Sequence, residues 1–225
     1  LVRMDMEMPV LDGYTATRIS THAVEEQWAL KSVAISTAVA WSYLEDGHFF
    51  WVIWFSDGTS WVYDATEKEW AERTAWTGAA YAAYRWKYHT FIPEWGTNGQ
   101  HIVGDATSAK ICIMSAAFYD EEGIDMKRVR VLPYIYAGGG KRVYVDRVDL
   151  DMATGLIPSG AEPTIELDWS LDNGRTFSTP EAAGFGANNE TNKRVFWIAQ
   201  GSGEVSMLPR ITLTGQVQTS LIDCE

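Results

Sequence analysis

Cysteine is nearly absent from this 225-residue chain, which carries only Cys112 and Cys224. The two lie far apart in no metal-type spacing, so a thiolate metal centre is excluded. Two unpaired thiols in a reducing compartment are expected. Long apolar runs are missing as well. The longest, residues 49–55, is strand-sized and far short of the roughly 20 residues of a membrane helix. No membrane partner is therefore expected. Basic residues are scarce: 18 Lys and Arg stand against 30 Asp and Glu, a formal net charge of −12. A protein that grips nucleic acid over a broad face needs cations to replace phosphate counterions, and this surface repels phosphate instead. A signal-peptide pattern is lacking. The chain starts at Leu1 rather than Met, which reads as an excised fragment or a processed chain.

Aromatic residues, in contrast, are abundant, with 11 Trp, 10 Tyr and 8 Phe. Together with 46% apolar residues they exclude a disordered chain. The length suits one large all-β domain or two smaller ones with a sizeable core.

Helical periodicity is confined to residues 22–31, opened by Thr21 as a possible N-cap. Residues 75–85 are a second candidate, small and aromatic, where helix and loop are hard to separate. The rest reads as strand and turn. Phe49-Phe50-Trp51-Val52-Ile53-Trp54-Phe55 is a buried strand of β-forming residues. Asp57-Gly58 turns the chain into a return strand, Ser60-Trp61-Val62-Tyr63. Asp64-Ala65-Thr66 turns it again toward Trp70. This meander has an echo: Asp105-Ala106-Thr107 repeats the turn 41 positions after Asp64. A period of about 40 to 50 residues with several strands per unit is the pattern of propeller blades.

The character changes near Arg128. Gly138-Gly139-Gly140 reads as a long turn. Beyond it, apolar residues alternate: Val143 and Val145, then Val148, Leu150 and Met152 after a slip near Arg147 that suggests a bulge. Ile165, Leu167 and Trp169 alternate next, then Val195, Trp197 and Ala199, then Ile211 and Leu213. Residues 217–222 add a possible last strand. Half-buried alternation at this spacing predicts a two-sheet sandwich. The fold class expected is thus all-β, with propeller-like meander blades followed by a β-sandwich-like region. The boundaries drawn are an N-terminal extension or junction over 1–21, a propeller-like region over 22–127 and a sandwich-like region over 128–225.

Candidate chemistry is thin. Ser170-Leu171-Asp172-Asn173-Gly174-Arg175-Thr176-Phe177 matches the Asp-box of sialidases and other β-proteins. Asp172 would accept turn amides, Gly174 would supply the unusual φ, and Phe177 would insert into the core. Ser170, Asp172, Gly174, Thr176 and Phe177 are therefore assigned to a structural hairpin. Asp146, Asp149 and Asp151 lack the Gly and terminal Glu of a calcium loop and read as a solvated sheet edge. His22, His48, His89 and His101 lack zinc spacing, and no Ser or Cys occupies a nucleophile elbow. Gly138-Gly139-Gly140-Lys141 lacks the Ser/Thr of a phosphate loop. The sequon at Asn189 matters only on a secreted chain. No catalytic, cofactor-binding or metal residue is expected, no cofactor, and no enzyme. A carbohydrate-binding or glycosidase-like protein is the alternative that the Asp-box and the tryptophans suggest. It would need two carboxylates about 5 to 10 Å apart in a cleft. Met4-Asp5-Met6-Glu7-Met8-Pro9 resembles a receiver-domain phosphoacceptor segment. Meander follows at once, so the stretch reads as chance or a junction, and Asp5 is not expected to be phosphorylated.

One family resemblance runs along the chain. Arg18-Ile19-Ser20-Thr21-x-Ala23-x-Glu25, the meander from Gly47-His48 through Trp61-Val62-Tyr63-Asp64 to Trp70, and Gly104-Asp105-x-Thr107 resemble the packaged-DNA stabilisation proteins, or tail accessory proteins, of short-tailed phages. So do Tyr119-Asp120-x-x-Gly123, Val129-Arg130-x-x-Pro133, Leu150-Asp151-Met152-x-x-Gly155 and Leu167-Asp168-Trp169-Ser170 with the Asp-box. The set is collinear over about residues 14–222. The resemblance implies a structural virion protein of the neck or tail, made in the bacterial host cytoplasm. It implies a homo-oligomeric ring, a hexamer by that resemblance, below the portal and adapter rings. There it would close the channel and stabilise packaged DNA while joining a tail needle or spike. It also implies that this chain corresponds to the C-terminal half of such a protein. Packaged DNA would pass an acidic lumen without tight binding. Assembly would then rest on protein surfaces, where Trp and Tyr are enriched. Trp76, Trp86 and Trp95, with Tyr81, Tyr84 and Tyr88, are the interface candidates; the competing reading is that they fill the core.

Overall fold

The computed structural model describes residues 9–12, 15–30, 35–156, 162–218 and 221–224. Contacts divide the chain into two compact units, Leu1–Phe118 and Tyr119–Glu225. Strand Ile124–Val131 spans the boundary expected at 127/128.

In the first unit, β1 (Pro9–Asp12) and β2 (Thr15–Arg18) pair antiparallel and lead into α1 (His22–Leu30). Thr21 caps this helix, its Oγ1 accepting from the Val24 N–H at 3.4 Å. A 3₁₀ turn, Ile35–Thr37, precedes a four-stranded meander. Its strands are β3 (Val39–Glu45), β4 (His48–Trp54), β5 (Ser60–Asp64) and β6 (Glu69–Arg73), in that order. The turn between β4 and β5 uses Gly58 at φ +87, with the Phe55 N–H bonded to the Thr59 carbonyl at 3.0 Å. Period-2 patterning gives the sheet two apolar faces. Trp41, Tyr43, Val52 and Val62 lie on one, packed with Tyr84, Trp86 and Val103. Ile53 and Trp61 lie on the other, covered with Phe55 by Val24 and Trp28 of α1.

Residues 75–85 are not a helix. β7 (Ala75–Trp76) and β8 (Tyr81–Ala82) form a short hairpin in which Trp76 and Tyr81 are cross-strand partners, ring centroids 5.0 Å apart. A cross-strand aromatic pair of this kind stabilises a hairpin and has no counterpart at that spacing on a helix. β9 (Trp86–Ile92), β10 (Gln100–Asp105) and β11 (Ile111–Met114) complete the unit as a second sheet, ordered β11-β10-β9.

The second unit is a sandwich. One sheet holds β12 (Asp120–Glu121), β13 (Ile124–Val131), β19 (Ser206–Gly215), β16 (Thr164–Ser170) and β17 (Glu181–Gly184), with β14 (Ile135–Tyr136) also on β19. The other is ordered β18 (Val195–Gly203), β15 (Val143–Met152), β20 (Leu221–Cys224). The core joins Val143, Val148 and Leu150 of the small sheet to Ile165, Leu167, Ile211 and Leu213 of the large one. The slip anticipated near Arg147 is present, as a register shift between Val145 and Arg147 against β18. Ala199, expected to point inward, is exposed at φ +57, and Gln200 is buried instead. The extra residue of the bulge reverses the alternation there.

Candidate functional site

The residues that carry the sequence motifs turn out to fasten the fold. In the Arg18–Glu25 element, the Glu25 carboxylate accepts from the Arg18 guanidinium and the Ser20 hydroxyl. The Ser20 bond and the Arg18 charge hold Glu25 below the usual carboxylate range. Between them, the Ile19 carbonyl accepts from the Trp70 indole N–H at 2.9 Å. The element therefore ties the helix start to β6.

The two Asp-Ala-Thr turns are one device used twice. Asp64 Oδ1 accepts from the Thr66 and Glu67 amides at 2.8 and 3.3 Å. Asp105 Oδ1 accepts from the Thr107 and Ser108 amides at 2.7 and 3.3 Å. The second oxygen takes a neighbour in each case: His48 Nδ1 lies 2.7 Å from Asp64 Oδ2, and Arg85 Nη2 lies 2.7 Å from Asp105 Oδ2. The alanine amides likewise bond to Phe49 and Arg85 carbonyls, at 2.8 and 2.7 Å. Burial alone would raise the Asp105 carboxyl, but the turn amides and the Arg85 guanidinium hold it far below the usual range. The echo in the sequence is thus a repeat in three dimensions.

The histidines, scattered in sequence, are not all isolated in space. His89 Nε2 and His101 Nδ1 are 2.9 Å apart across β9 and β10, and His89 stacks on Trp41 with centroids 4.8 Å apart. Burial and the second imidazole push the His89 pKa down. The signal that could have found this pair is the β9–β10 hairpin, which the repeat implies but polar alternation in residues 86–92 concealed. No group of three or more metal-ligating side chains exists among the described residues.

The Asp-box hairpin folds as its residue types require, with one correction. The Ser170 hydroxyl donates to Asp172 Oδ1 at 2.8 Å and accepts from the Gly174 amide at 2.8 Å. Asp172 accepts from the Thr176 hydroxyl and amide at 2.7 and 2.8 Å, bonds that lower its pKa to about 2. Gly174 sits at φ +85. Phe177, however, does not enter the core. It is half-buried beneath the Arg210 guanidinium, 3.7 Å from the ring centroid, and Arg210 is itself paired with the buried Asp168. A cation fixed on an aromatic face replaces the apolar contact. The acidic cluster is divided: Asp146 and Asp149 lie where β15 pairs with β18 alone, a sheet edge among the described residues, whereas Asp151 pairs with β20; Asp149 also bonds to Arg147 and Arg194. Those guanidiniums lower the Asp149 pKa.

The aromatic interface candidates separate cleanly. Trp86 and Tyr84 are buried in the first unit's core, which corrects the surface assignment of Trp86. Its strand turns Trp86 toward the face packed on Trp41 and Val52. Trp95 is 51% exposed and Trp76 is half-buried against Tyr81. Register keeps Tyr88 among the candidates and adds two that sequence reasoning missed, Ile111 and Ile113. Tyr88 lies opposite Gly104, which lies opposite Ile111; Thr90, Ile102 and Ile113 align in the same way. Tyr88, Ile111 and Ile113 therefore share one face of the second sheet, exposed by 56%, 75% and 43%. The opposite face, with Val103 and Cys112, is packed in the core. Cys112 is a free thiol. Asp5 and the Cys224 side chain lie outside the described residues.

No helix among the described residues is long and apolar enough to cross a membrane. Residues 3–119 match a family model described as Bacteriophage P22 Gp10, beta-propeller, and residues 127–225 match one described as Bacteriophage P22 Gp10, beta-sandwich. These matches agree with the meander sheets of the first unit and the two-sheet second unit. No curated protein matches the chain.

Proposed function

We propose that this chain, which belongs to the bacteriophage P22 Gp10 family of phage stabilisation proteins, works in the virion neck as a subunit of a homo-oligomeric ring, a hexamer. The ring sits below the portal and adapter rings, closes the channel after packaging and joins the tail needle or spike. Assembly takes place in the host cytoplasm. The observation that carries this reading is the second sheet of the first unit. Its neighbour, the β3–β6 meander, is covered on both faces, whereas Tyr88, Ile111 and Ile113 stay exposed around the buried Ile102. Contiguous exposed apolar surface of this kind marks protein contact. The net charge of −12 suits a lumen along which DNA slides without sticking. Co-sedimentation with purified portal–adapter rings tests the proposal. Co-migration with the rings is expected, and Ile111→Glu with Tyr88→Glu is expected to reduce it. Failure of the unaltered chain to associate at any ring concentration would contradict the reading.

A further inference from the structure

Strand β13 carries an arrangement that the ring reading does not use. Only Ile124 and Asp125 pair with β12. From Met126 to Val131 the strand bonds to β19 on one side, and no described strand pairs with its other side. Its polarity is inverted. Val129 and Val131 face out, 44% and 51% exposed, while Arg128 and Arg130 lie opposite Leu213 and Ile211 and so share their core-side face.

Beneath these two arginines the sandwich opens into a cavity of about 160 Å3. Leu150, Met152, Ile165, Ile211 and Leu213 wall it, and Arg128, Val129 and Arg130 of β13 complete its lining. The Arg128 guanidinium bonds to the Gly215 carbonyl at 3.3 Å and touches Met126 Sδ at 3.5 Å. Neither arginine has a carboxylate partner among the described residues. Two cations over an apolar hole, in a chain of net charge −12, are the complement of an anion with an apolar neighbour. Inward-facing charges on an edge strand oppose pairing with an uncharged or basic strand. They favour an acidic one, because N–H to carboxylate bonds are charge-assisted.

We propose that the free edge of β13 is a docking site for an extended acidic strand of a partner protein. The incoming strand adds antiparallel or parallel to Met126–Val131 through main-chain bonds. On its inner face it presents acids at two successive alternate positions, opposite Arg128 and Arg130, and an aliphatic residue at the next, against the cavity. This is strand addition with one specificity pocket. It rests on the reading of the chain as an assembly subunit, and its failure is separable, because strand addition is read from amides and ring formation from mass.

The test uses the whole chain and an end-blocked peptide, Thr-Glu-Thr-Glu-Thr-Ile-Thr, with Lys in place of Glu as control. Residue-resolved amide exchange is measured with each. The acidic peptide is expected to slow exchange at alternate amides of residues 126–131, and the Lys peptide to leave them unchanged. Arg130→Glu, at an exposed position, is expected to weaken the acidic peptide by about tenfold or more, the loss of a charge-assisted contact with repulsion added. Arg128→Met with native-like unfolding behaviour is expected to weaken it in the same direction. Unchanged β13 amides, slowing at a different strand edge, or equal effects of the two peptides would each overturn the proposal.

Discussion

Trp86 and Trp95 look alike in sequence, both lying in a Trp- and Tyr-rich stretch with few apolar neighbours. The structure separates them by one property, the direction each side chain takes from its backbone. Trp86→Ala empties a core position and is expected to cost about 3–5 kcal/mol in urea unfolding. Trp95→Ala, at an exposed site, is expected to stay within about 0.5 kcal/mol. A second residue-scale consequence concerns acid. Asp172 has its pKa lowered from 3.8 to about 2 by the Thr176 and Ser170 bonds. A depressed carboxylate stabilises the fold above its unfolded pKa, and that contribution fades as pH falls toward the folded value. Asp172→Asn is therefore expected to flatten the fall in unfolding midpoint between pH 3.8 and about 2. An unchanged acid slope would show that the hairpin does not depend on this charge.

Among elements, the strands with strong alternation or continuous apolar runs were legible: β4, β5, β15, β16 and β19 lie where periodicity puts them. Their side chains are decided by burial, which the sequence writes directly. The hairpin β7–β8 and strand β9 were not, because residues 75–92 mix small, aromatic and charged types, and tertiary packing decides their state. Of the site, the Asp172 carboxylate was readable from the Asp-box pattern, and the Asp64 and Asp105 turns from their repeat. The His89–His101 pair and the Arg210–Asp168–Phe177 stack were not, since each joins residues that only the sheet register brings together. The bulge at Ala199 is the element-scale test. A non-glycine residue at φ +57 is strained, so Ala199→Gly is expected to raise stability by up to about 1 kcal/mol despite glycine's greater unfolded entropy. A loss measured by thermal and urea unfolding would mean that the alanine conformation is unstrained.

For the whole molecule, the motifs that mark the family form latches within each unit, and the exposed surface includes an apolar face in one sheet and two arginines at one edge. Glu25, Asp64, Asp105, Asp168 and Asp172 all have structural bonds. A subunit that works by contact needs rigid units and unfilled surfaces, and this distribution of carboxylates and apolar residues supplies both. The most direct test is the mass of the assembled species, measured by native mass spectrometry on the family-length protein and on this chain. The account predicts a discrete multiple of the protomer mass, six for a hexamer, that disappears when Tyr88, Ile111 and Ile113 are replaced by Glu while the monomer stays folded. A folded monomer at every concentration, also in the presence of portal–adapter rings, would contradict it.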